Sequence, residues 1–148
     1  MRKYFVLALA VLGLAIAAGV QSASGQIETQ MKVNIPFPFS VENTTLPPGN
    51  YTITRVDKSD PTILELRSDD GKTAVIFKGI SAQSTSTPDK SVLVFKKYGD
   101  QEILSQIFEQ GNPNGIELPK SRPEERAGKG GAKPVKHVIE LAIVPGKR

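Results

Sequence analysis

The sequence predicts an all-β domain: an antiparallel β-sandwich or small barrel of about seven or eight short strands, with one short helix near 122–127. Two observations lead to this prediction. Short segments alternate apolar and polar residues with the period of a strand that buries one face, and clusters of Gly, Pro, Asn and Asp separate these segments. No internal repeat at solenoid spacing competes with this interpretation.

The N-terminus has the composition of an export signal. Two basic residues precede the apolar run Tyr4–Val20, and small or polar residues follow up to Gly25. This order is typical of a signal peptide over residues 1–25, and the apolar run is at the short end for a retained membrane-spanning helix. We therefore expect an exported protein, periplasmic or extracellular, with a single β-rich domain over 26–148 and no membrane span after signal removal.

The composition excludes several kinds of chemistry. The chain contains no cysteine, so it has no thiol nucleophile and no cysteine metal site, and its single histidine excludes a multi-histidine metal centre. Charge is unevenly distributed: residues 26–118 carry nine Lys or Arg against twelve Asp or Glu, whereas residues 119–148 carry eight against three. A mildly acidic body with a basic tail fits either an anionic partner or a tail that only interacts with solvent.

The first strand is predicted at Met31–Val41, where apolar residues alternate with polar residues or proline. Pro36 and Pro38 both remove backbone donors along one lateral side of that strand. We therefore expect an edge strand, or a strand bulged at this place, that is paired on its intact side. The turn Leu46–Asn50 then leads into a strand that ends near Val56.

The clearest predicted register belongs to a hairpin that joins Ile63–Ser68 to Thr73–Lys78. Asp70-Gly71 between these strands is a strong two-residue type I′ turn signal. With that turn, one face of the hairpin is wholly apolar and the other is charged, so turn chemistry and pattern agree. The predicted opposed pairs are Leu66 with Val75, Leu64 with Phe77, and Asp69 with Lys72.

A second hairpin is predicted across Gly99-Asp100, joining Val92–Tyr98 to Gln101–Glu109. Both faces of this hairpin carry apolar residues, as expected for strands that are covered on both sides or that bend between sheets. The predicted opposed pairs are Phe95 with Leu104, Val92 with Ile107, and Lys97 with Glu102.

The C-terminal part combines a short helix, a linker and a last strand. Ser121 at the N-cap and Glu124 three residues later match a capping box, which predicts the helix near 122–127. Glycines then interrupt the helix and make 128–136 a basic Gly/Lys-rich linker. Renewed alternation predicts a last strand over 135–144.

Four short pieces spread over most of the mature chain carry a family resemblance. They read V-N-I-P-F-P-F-S-V from Val33, L-P-P-G-N-Y from Leu46, L-V-F-K-K-Y-G-D from Leu93 and E-L-P-K-S-R-P-E-E from Glu117. With them the chain resembles a family of small exported proteins associated with acidobacteria. The resemblance implies an exported β-rich domain and brings no catalytic residues. Leu46–Tyr51 is also similar to a turn of transthyretin-like and collagen-adhesin B-type modules.

Candidate reactive residues are few, and each has a simpler structural explanation. His137 lies in the predicted last strand, and the chain has no G-x-S-x-G nucleophile elbow, so we interpret His137 as an ordinary strand residue. Glu124 and Glu125 are adjacent on a helix and do not face each other as a hydrolytic pair would. Four loop aspartates lack the spacing of an EF-hand and fit turns better than a calcium site: Asp57, Asp60, Asp69 and Asp70.

The basic linker is the remaining candidate contact surface. Lys129, Lys133 and Lys136 lie among glycines and are expected to contact polyanions weakly and without sequence preference, if they bind at all. The alternative is a linker whose cations interact only with water. No cofactor and no metal are expected.

These features predict an exported, non-catalytic β-sandwich module with a structural or binding role at the bacterial cell envelope. Its partner stays open between an envelope protein and an anionic glycan, and nucleic acid is not expected. One alternative is a hydrolase of unknown type, which a deep polar cleft converging on His137 or on paired carboxylates would favour. Another is electrostatic adhesion to anionic glycans or lipid through the basic tail.

Overall fold

Two β-sheets pack face to face in the computed structural model, which describes residues 29–146. The predicted signal peptide, residues 1–25, lies outside the described residues. The described elements are β1 (Thr29–Ile35), β2 (Phe39–Val41), β3 (Thr44–Leu46), β4 (Gly49–Arg55), β5 (Ile63–Ser68), β6 (Ala74–Lys78), β7 (Ile80–Gln83), β8 (Val92–Tyr98), β9 (Gln101–Phe108), β10 (Asn114–Glu117), α1 (Arg122–Gly128), β11 (Val135–Glu140) and β12 (Ala142–Pro145). The all-β sandwich and the short helix are confirmed, but twelve strands exceed the expected seven or eight.

The first sheet has five antiparallel strands in the order β12-β1-β4-β5-β6. The second sheet has seven strands. Its main path is β11-β8-β9-β10-β7, and the β2–β3 hairpin attaches to β9 through a parallel pairing of Ser40 with Ile103. Two of the extra strands, β2 and β12, arise because segments that look continuous in the sequence change from one sheet to the other. The others, β3, β7 and β10, are short strands of three or four residues outside the predicted ones.

A shared hydrophobic core holds the two sheets together. Tyr51, Phe39, Phe77 and Phe95 are its largest fully buried side chains. Phe39 contacts Tyr51 and Phe95 edge to face, with ring centroids 5.3 and 5.7 Å apart. Such pairs contribute about 0.5–1.5 kcal/mol beyond the burial of area. Phe39 therefore connects β4 of the first sheet to β8 of the second.

The predicted strand Met31–Val41 is divided between the two sheets. β1 ends at Ile35, and β2 starts at Phe39 in the other sheet. The prediction of an edge strand is wrong, because β1 pairs with β4 on one side and with β12 on the other. Pro36 and Pro38 lie in the link between β1 and β2. Because these prolines lack backbone donors, the ladder of hydrogen bonds ends here and the chain passes to the other sheet. The predicted one-sided burial is confirmed in both strands.

The β5–β6 hairpin keeps its predicted register with a longer loop. The confirmed opposed pairs are Leu66 with Val75 and Leu64 with Phe77. The loop contains four residues, Asp69–Lys72, and a hydrogen bond from Ser68 N to Thr73 O (2.8 Å) closes it. The longer loop adds one residue on each side, so the register of the strands is unchanged.

The prediction of a two-residue type I′ turn is wrong for a local reason. Gly71 has a φ of 74°, but Asp70 lacks the positive φ that this turn requires at both central residues. Asp70 Oδ1 instead accepts hydrogen bonds from Ser68 Oγ (2.6 Å) and Lys72 N (3.0 Å). Asp69 N donates to a carbonyl of β4, so Asp69 does not pair with Lys72.

The β8–β9 hairpin contains a bulge that the predicted register lacks. Near the turn, the predicted pairs are confirmed: Phe95 with Leu104, and Lys97 with Glu102. Farther from the turn, Val92 pairs with Phe108 and not with Ile107 as predicted. Ser105 is the extra residue of β9, since its two neighbours pair with adjacent residues of β8. The bulge shifts the alternation by one residue, so apolar residues occupy both phases of β9.

The predicted last strand over 135–144 is two strands in different sheets. β11 pairs with β8, whereas β12 pairs with β1. Leu141 lies between them, and its backbone N donates to Ser91 O (2.9 Å). The segment stays extended while it changes neighbours, which alternation alone does not reveal. Of the predicted linker at 128–136, Gly128 belongs to α1, and β11 begins at Val135, where the last strand was predicted to begin.

Gly79 is the crossing point between β6 and β7. It is buried, and a Cβ at this position would lie 2.2 Å from Ile116 Cγ2 and 2.9 Å from Glu117 O. The contact with a backbone carbonyl leaves no room for a side chain, so the close approach of the two sheets here requires glycine.

Replacing Gly71 by valine should lower the free energy of unfolding by about 1–3 kcal/mol, because a β-branched residue resists a positive φ. A Cβ at Gly71 would meet nothing within 4 Å, so the substitution tests backbone strain without a clash. Gly71→Asn is the control, since asparagine tolerates the left-handed region. Urea unfolding measures both variants, and a valine variant as stable as the wild type would contradict the assignment of this loop.

Candidate binding cleft

An open cleft of about 540 Å³ lies where two parts of the second sheet meet helix α1. Its walls come from the β2–β3 hairpin, the turn between β8 and β9, and helix α1. The volume falls within the range of about 300–1,000 Å³ typical of small-molecule sites. Most of the lining side chains are polar or charged, so the cleft suits a hydrophilic ligand.

The β2–β3 hairpin supplies a strained wall of the cleft. Glu42 and Asn43 form its two-residue loop, and Glu42 has a φ of 52°. A non-glycine residue in this region costs of the order of 1 kcal/mol and persists where the surroundings fix the backbone. Asn43 provides such a contact, because its Oδ1 accepts a hydrogen bond from Arg122 N (3.3 Å) at the start of α1. The hairpin and the helix are thus connected across the cleft.

Helix α1 is fixed to the sheet by its own N-terminal residues. Ser121 caps the helix as predicted, with its Oγ accepting from Glu124 N (3.3 Å). The other half of the predicted capping box is absent, because the buried Glu124 carboxylate turns toward β8. Glu124 Oε1 accepts hydrogen bonds from Lys96 Nζ (2.9 Å) and Tyr98 OH (3.1 Å).

This buried contact changes the acidity of its partners. The Glu124 carboxylate raises the pKa of Lys96, since it stabilises the ammonium form. Burial raises the pKa of Tyr98 first, and the hydrogen bond to Glu124 adds to that effect. Lys96 and Tyr98 therefore hold α1 against the sheet across the neutral pH range, which sets the position of every side chain on the helix.

Two arginines of α1 line the cleft. Arg122 and Arg126 are one helical turn apart and therefore project from the same side of α1. Both are exposed, and neither forms an ion pair within residues 29–146. Asp100, in the turn between β8 and β9, also lines the cleft.

Glu102 belongs to the cleft wall, but its carboxylate is engaged in the interior. Its side chain is 5% exposed, and Oε1 lies 2.9 Å from His137 Nδ1 and 3.9 Å from Lys97 Nζ. The buried Oε2 has no hydrogen-bond partner among the described residues. The ring of Phe37 packs on the imidazole of His137 with centroids 4.8 Å apart. The Lys97 ammonium is the cation that faces the buried carboxylate, and the imidazole of His137 shares a hydrogen bond with it.

The structure thus gives His137 a specific partner that the sequence analysis missed. Alternation places Glu102 in the same phase as the buried Leu104, so an inward-facing carboxylate was detectable from the predicted hairpin. Its pairing with His137 was not detectable, because it depends on β11 lying beside β8. The pair of Arg122 and Arg126 was visible as a spacing of four in the predicted helix.

The predicted polyanion contact is separate from the cleft. Lys129, Lys133 and Lys136 are all exposed, and none of them belongs to the cleft lining. Lys129 directly follows α1, and Lys136 lies in β11 opposite Lys96. None of the three lysines therefore contributes to the cleft lining, although Lys129 follows Arg126 by three residues at the end of α1.

The loop aspartates considered as calcium ligands accept hydrogen bonds from nearby side chains. Asp57 accepts from Ser59, and Asp69 accepts from Thr52 across the sheet. Asp60 accepts from Thr62 and contacts Lys78 Nζ at 3.0 Å. No group of three acidic or histidine side chains suited to a metal ion occurs within residues 29–146.

Comparison of the chain with protein-family models, with curated proteins and with solved structures gives no match. Within residues 29–146, no helix has the length and apolar character needed to cross a membrane.

Replacing Glu124 by glutamine should lower the free energy of unfolding by about 1–3 kcal/mol, because Lys96 and Tyr98 lose the charge they share. Glu125→Gln removes an equal charge from an exposed neighbour on the same helix and should change stability by less than about 0.5 kcal/mol. Urea unfolding compares the two variants. Equal effects would show that Glu124 does not anchor the helix.

Asp60 should titrate well below an ordinary aspartate. The Thr62 hydroxyl and then Lys78 lower the pKa of Asp60 from 3.8 to about 2. A lowered pKa in the folded state means that ionised Asp60 stabilises the fold above pH 3.8 and loses this contribution as the pH falls through about 2. NMR titration of the Asp60 carboxyl measures this value, and Thr62→Val should move it toward 3.8. A wild-type midpoint at the ordinary value would contradict the assignment.

Proposed function

We propose that this chain is an exported, non-catalytic binding module of the bacterial cell envelope, and that the cleft beside α1 is its binding site. One observation carries the proposal. Two of the elements that carry polar groups of the cleft are held in place by contacts of their own: α1 by Glu124, and the β2–β3 hairpin by its buried Phe39 and by Asn43. Walls that are fixed before binding need not be ordered when a ligand arrives, which favours recognition.

Export is part of the proposal and rests on the leader. The charged and apolar order of residues 1–25 supports secretion to the periplasm or beyond. A cysteine-free β-sandwich with a continuous hydrophobic core supports a domain that folds there without disulfides.

The hydrolase alternative is favoured by one feature, the pair of His137 and Glu102. A carboxylate that orients an imidazole is also found in Ser-His-Asp sites. Here the imidazole packs against Phe37, and its hydrogen bond within the described residues is to Glu102 and not to a serine or threonine hydroxyl. The Glu102 carboxylate is buried, so Glu102 and Asp100 do not present two accessible carboxylates to the cleft. Both features support binding over hydrolysis.

The second alternative is electrostatic adhesion through Lys129, Lys133 and Lys136. Their exposure supports contact with an anionic glycan or lipid surface, and none of them lines the cleft, so this contact does not need the cleft residues. Attraction of this kind fades with salt.

Filling the cleft should abolish binding of the envelope component. Thr45 is an exposed cleft residue of β3, and tryptophan at this place would occupy the cleft while suiting a strand. Thr44→Trp is the matched control, because its exposed neighbour does not line the cleft. The proteins are expressed in a bacterium with their leader, and intact mass reports whether about 22–25 residues are removed.

The purified mature proteins are immobilised and exposed to fractionated envelope extract. Retention of one component by the wild type and by Thr44→Trp, with a loss of about tenfold or more in Thr45→Trp, is the expected result. Equal retention by both tryptophan variants would contradict the cleft as the site. Release of a modified product from the bound component, abolished in a His137→Ala variant, would favour the hydrolase.

A further inference from the structure

The charge of the cleft points to the chemical class of its ligand, an inference that rests on the proposed function. The lining contains Arg122 and Arg126 against Asp100 and Glu102. The buried Glu102 carboxylate is already paired with the Lys97 ammonium and hydrogen-bonded to His137. The cleft therefore presents two guanidinium groups against one free carboxylate, an excess of positive charge that attracts an anion.

The two arginines are arranged as a pair and not as scattered surface charges. Like charges one turn apart on a helix destabilise it, and neither has an acidic partner within the described residues. An anion bound between them would relieve that repulsion. A guanidinium donates two parallel hydrogen bonds to a planar carboxylate, which makes arginine the side chain best suited to this group.

The rest of the lining matches hydroxyl groups. Ser40, Asn43, Thr45 and Gln101 contribute hydroxyls and amides, which both donate and accept hydrogen bonds as sugar hydroxyls do. Ser40 Oγ and Thr45 Oγ1 lie 3.4 Å apart, so a single hydroxyl of a ligand would reach both. Pro123 adds an apolar surface beside them. We infer that the cleft binds a carboxylated sugar unit of an acidic polysaccharide.

A lipid headgroup fits the same charge but not the surroundings. An inserted lipid needs exposed apolar side chains next to its headgroup site. None of the large exposed hydrophobic residues within 29–146 lines the cleft. Single-stranded nucleic acid would need an exposed aromatic for base stacking, and the phenylalanine of the cleft, Phe39, is 1% exposed.

The test uses the mature protein and two probes that differ in their carboxylates: a trigalacturonate and a neutral galactose trisaccharide. Isothermal titration calorimetry measures the dissociation constant of each at low and physiological salt. We expect the uronate to bind about tenfold or more tightly than the neutral sugar, which is the ratio that loss of one charge-assisted contact gives. The dissociation constant should rise with salt.

Variants then assign the binding to the two arginines. The double variant Arg122→Gln/Arg126→Gln keeps the backbone N–H that bonds to Asn43 and should bind the uronate about tenfold or more weakly. The double variant Arg67→Gln/Lys72→Gln removes the same charge from exposed positions on β5 and on the β5–β6 loop, both away from the cleft, and should bind like the wild type. Melting curves confirm that each variant is folded.

Three results would overturn the inference. The first is equal affinity for the neutral and the acidic sugar. The second is an equal loss of uronate affinity in both double variants. The third is a loss of uronate affinity in Lys129→Ala/Lys133→Ala/Lys136→Ala while the arginine variant binds like the wild type. Absence of uronate binding, while Thr45→Trp still loses its envelope component, would overturn the acidic sugar alone and leave the binding module intact. Absence of both would overturn both proposals.

Discussion

The structure depends on the four places where the chain leaves one sheet and enters the other. These crossings lie at the Pro36–Pro38 link, between Leu46 and Gly49, at Gly79 and at Leu141. Prolines interrupt the ladder at the first crossing, a glycine permits close approach to Ile116 at the third, and Leu141 at the fourth bonds to a carbonyl outside both sheets. The crossing at Gly79 joins the edge strand β6 to β7, and the crossing at Leu141 joins β11 to the edge strand β12. The chain therefore connects the two sheets at both sides of the core.

The first crossing also creates the cleft. It brings β2 alongside β9, so the β2–β3 hairpin stands next to the turn between β8 and β9. Phe39, the first residue after the link, is buried against Tyr51 and Phe95 and fixes the base of that hairpin in the core. The outer end of the hairpin then carries Asn43 to the start of α1. The strained backbone of Glu42 is tolerated because both ends of the hairpin are held in this way.

What the sequence predicted correctly was governed by local chemistry. The β5–β6 register follows from alternation near a turn. The N-cap at Ser121 follows from a serine whose hydroxyl accepts a hydrogen bond from the backbone N of Glu124, three residues later. The changes of sheet were missed, because extended chain looks the same whichever sheet it joins. The bulge at Ser105 was missed because it trades one ladder position for a hydrogen bond from Leu118 N, a partner outside the hairpin. The cleft was missed because it also depends on contacts between residues far apart in the sequence: its walls come from three separate parts of the chain.

The positive charge of the cleft follows from where the acidic residues are buried. Lys96 and Lys97 are neighbours on β8 and point to opposite faces of the sheet. Glu124 pairs with the first and Glu102 with the second, and both carboxylates are buried, where an unpaired charge would cost several kcal/mol. Two carboxylates beside the cleft are thus committed to interior contacts that hold the helix and β11 in place. Neither carboxylate therefore pairs with the arginines of α1, which face the cleft. The ion pairs of Glu124 with Lys96 and of Glu102 with Lys97 thus stabilise this end of the sandwich and also leave the cleft with an excess of positive charge.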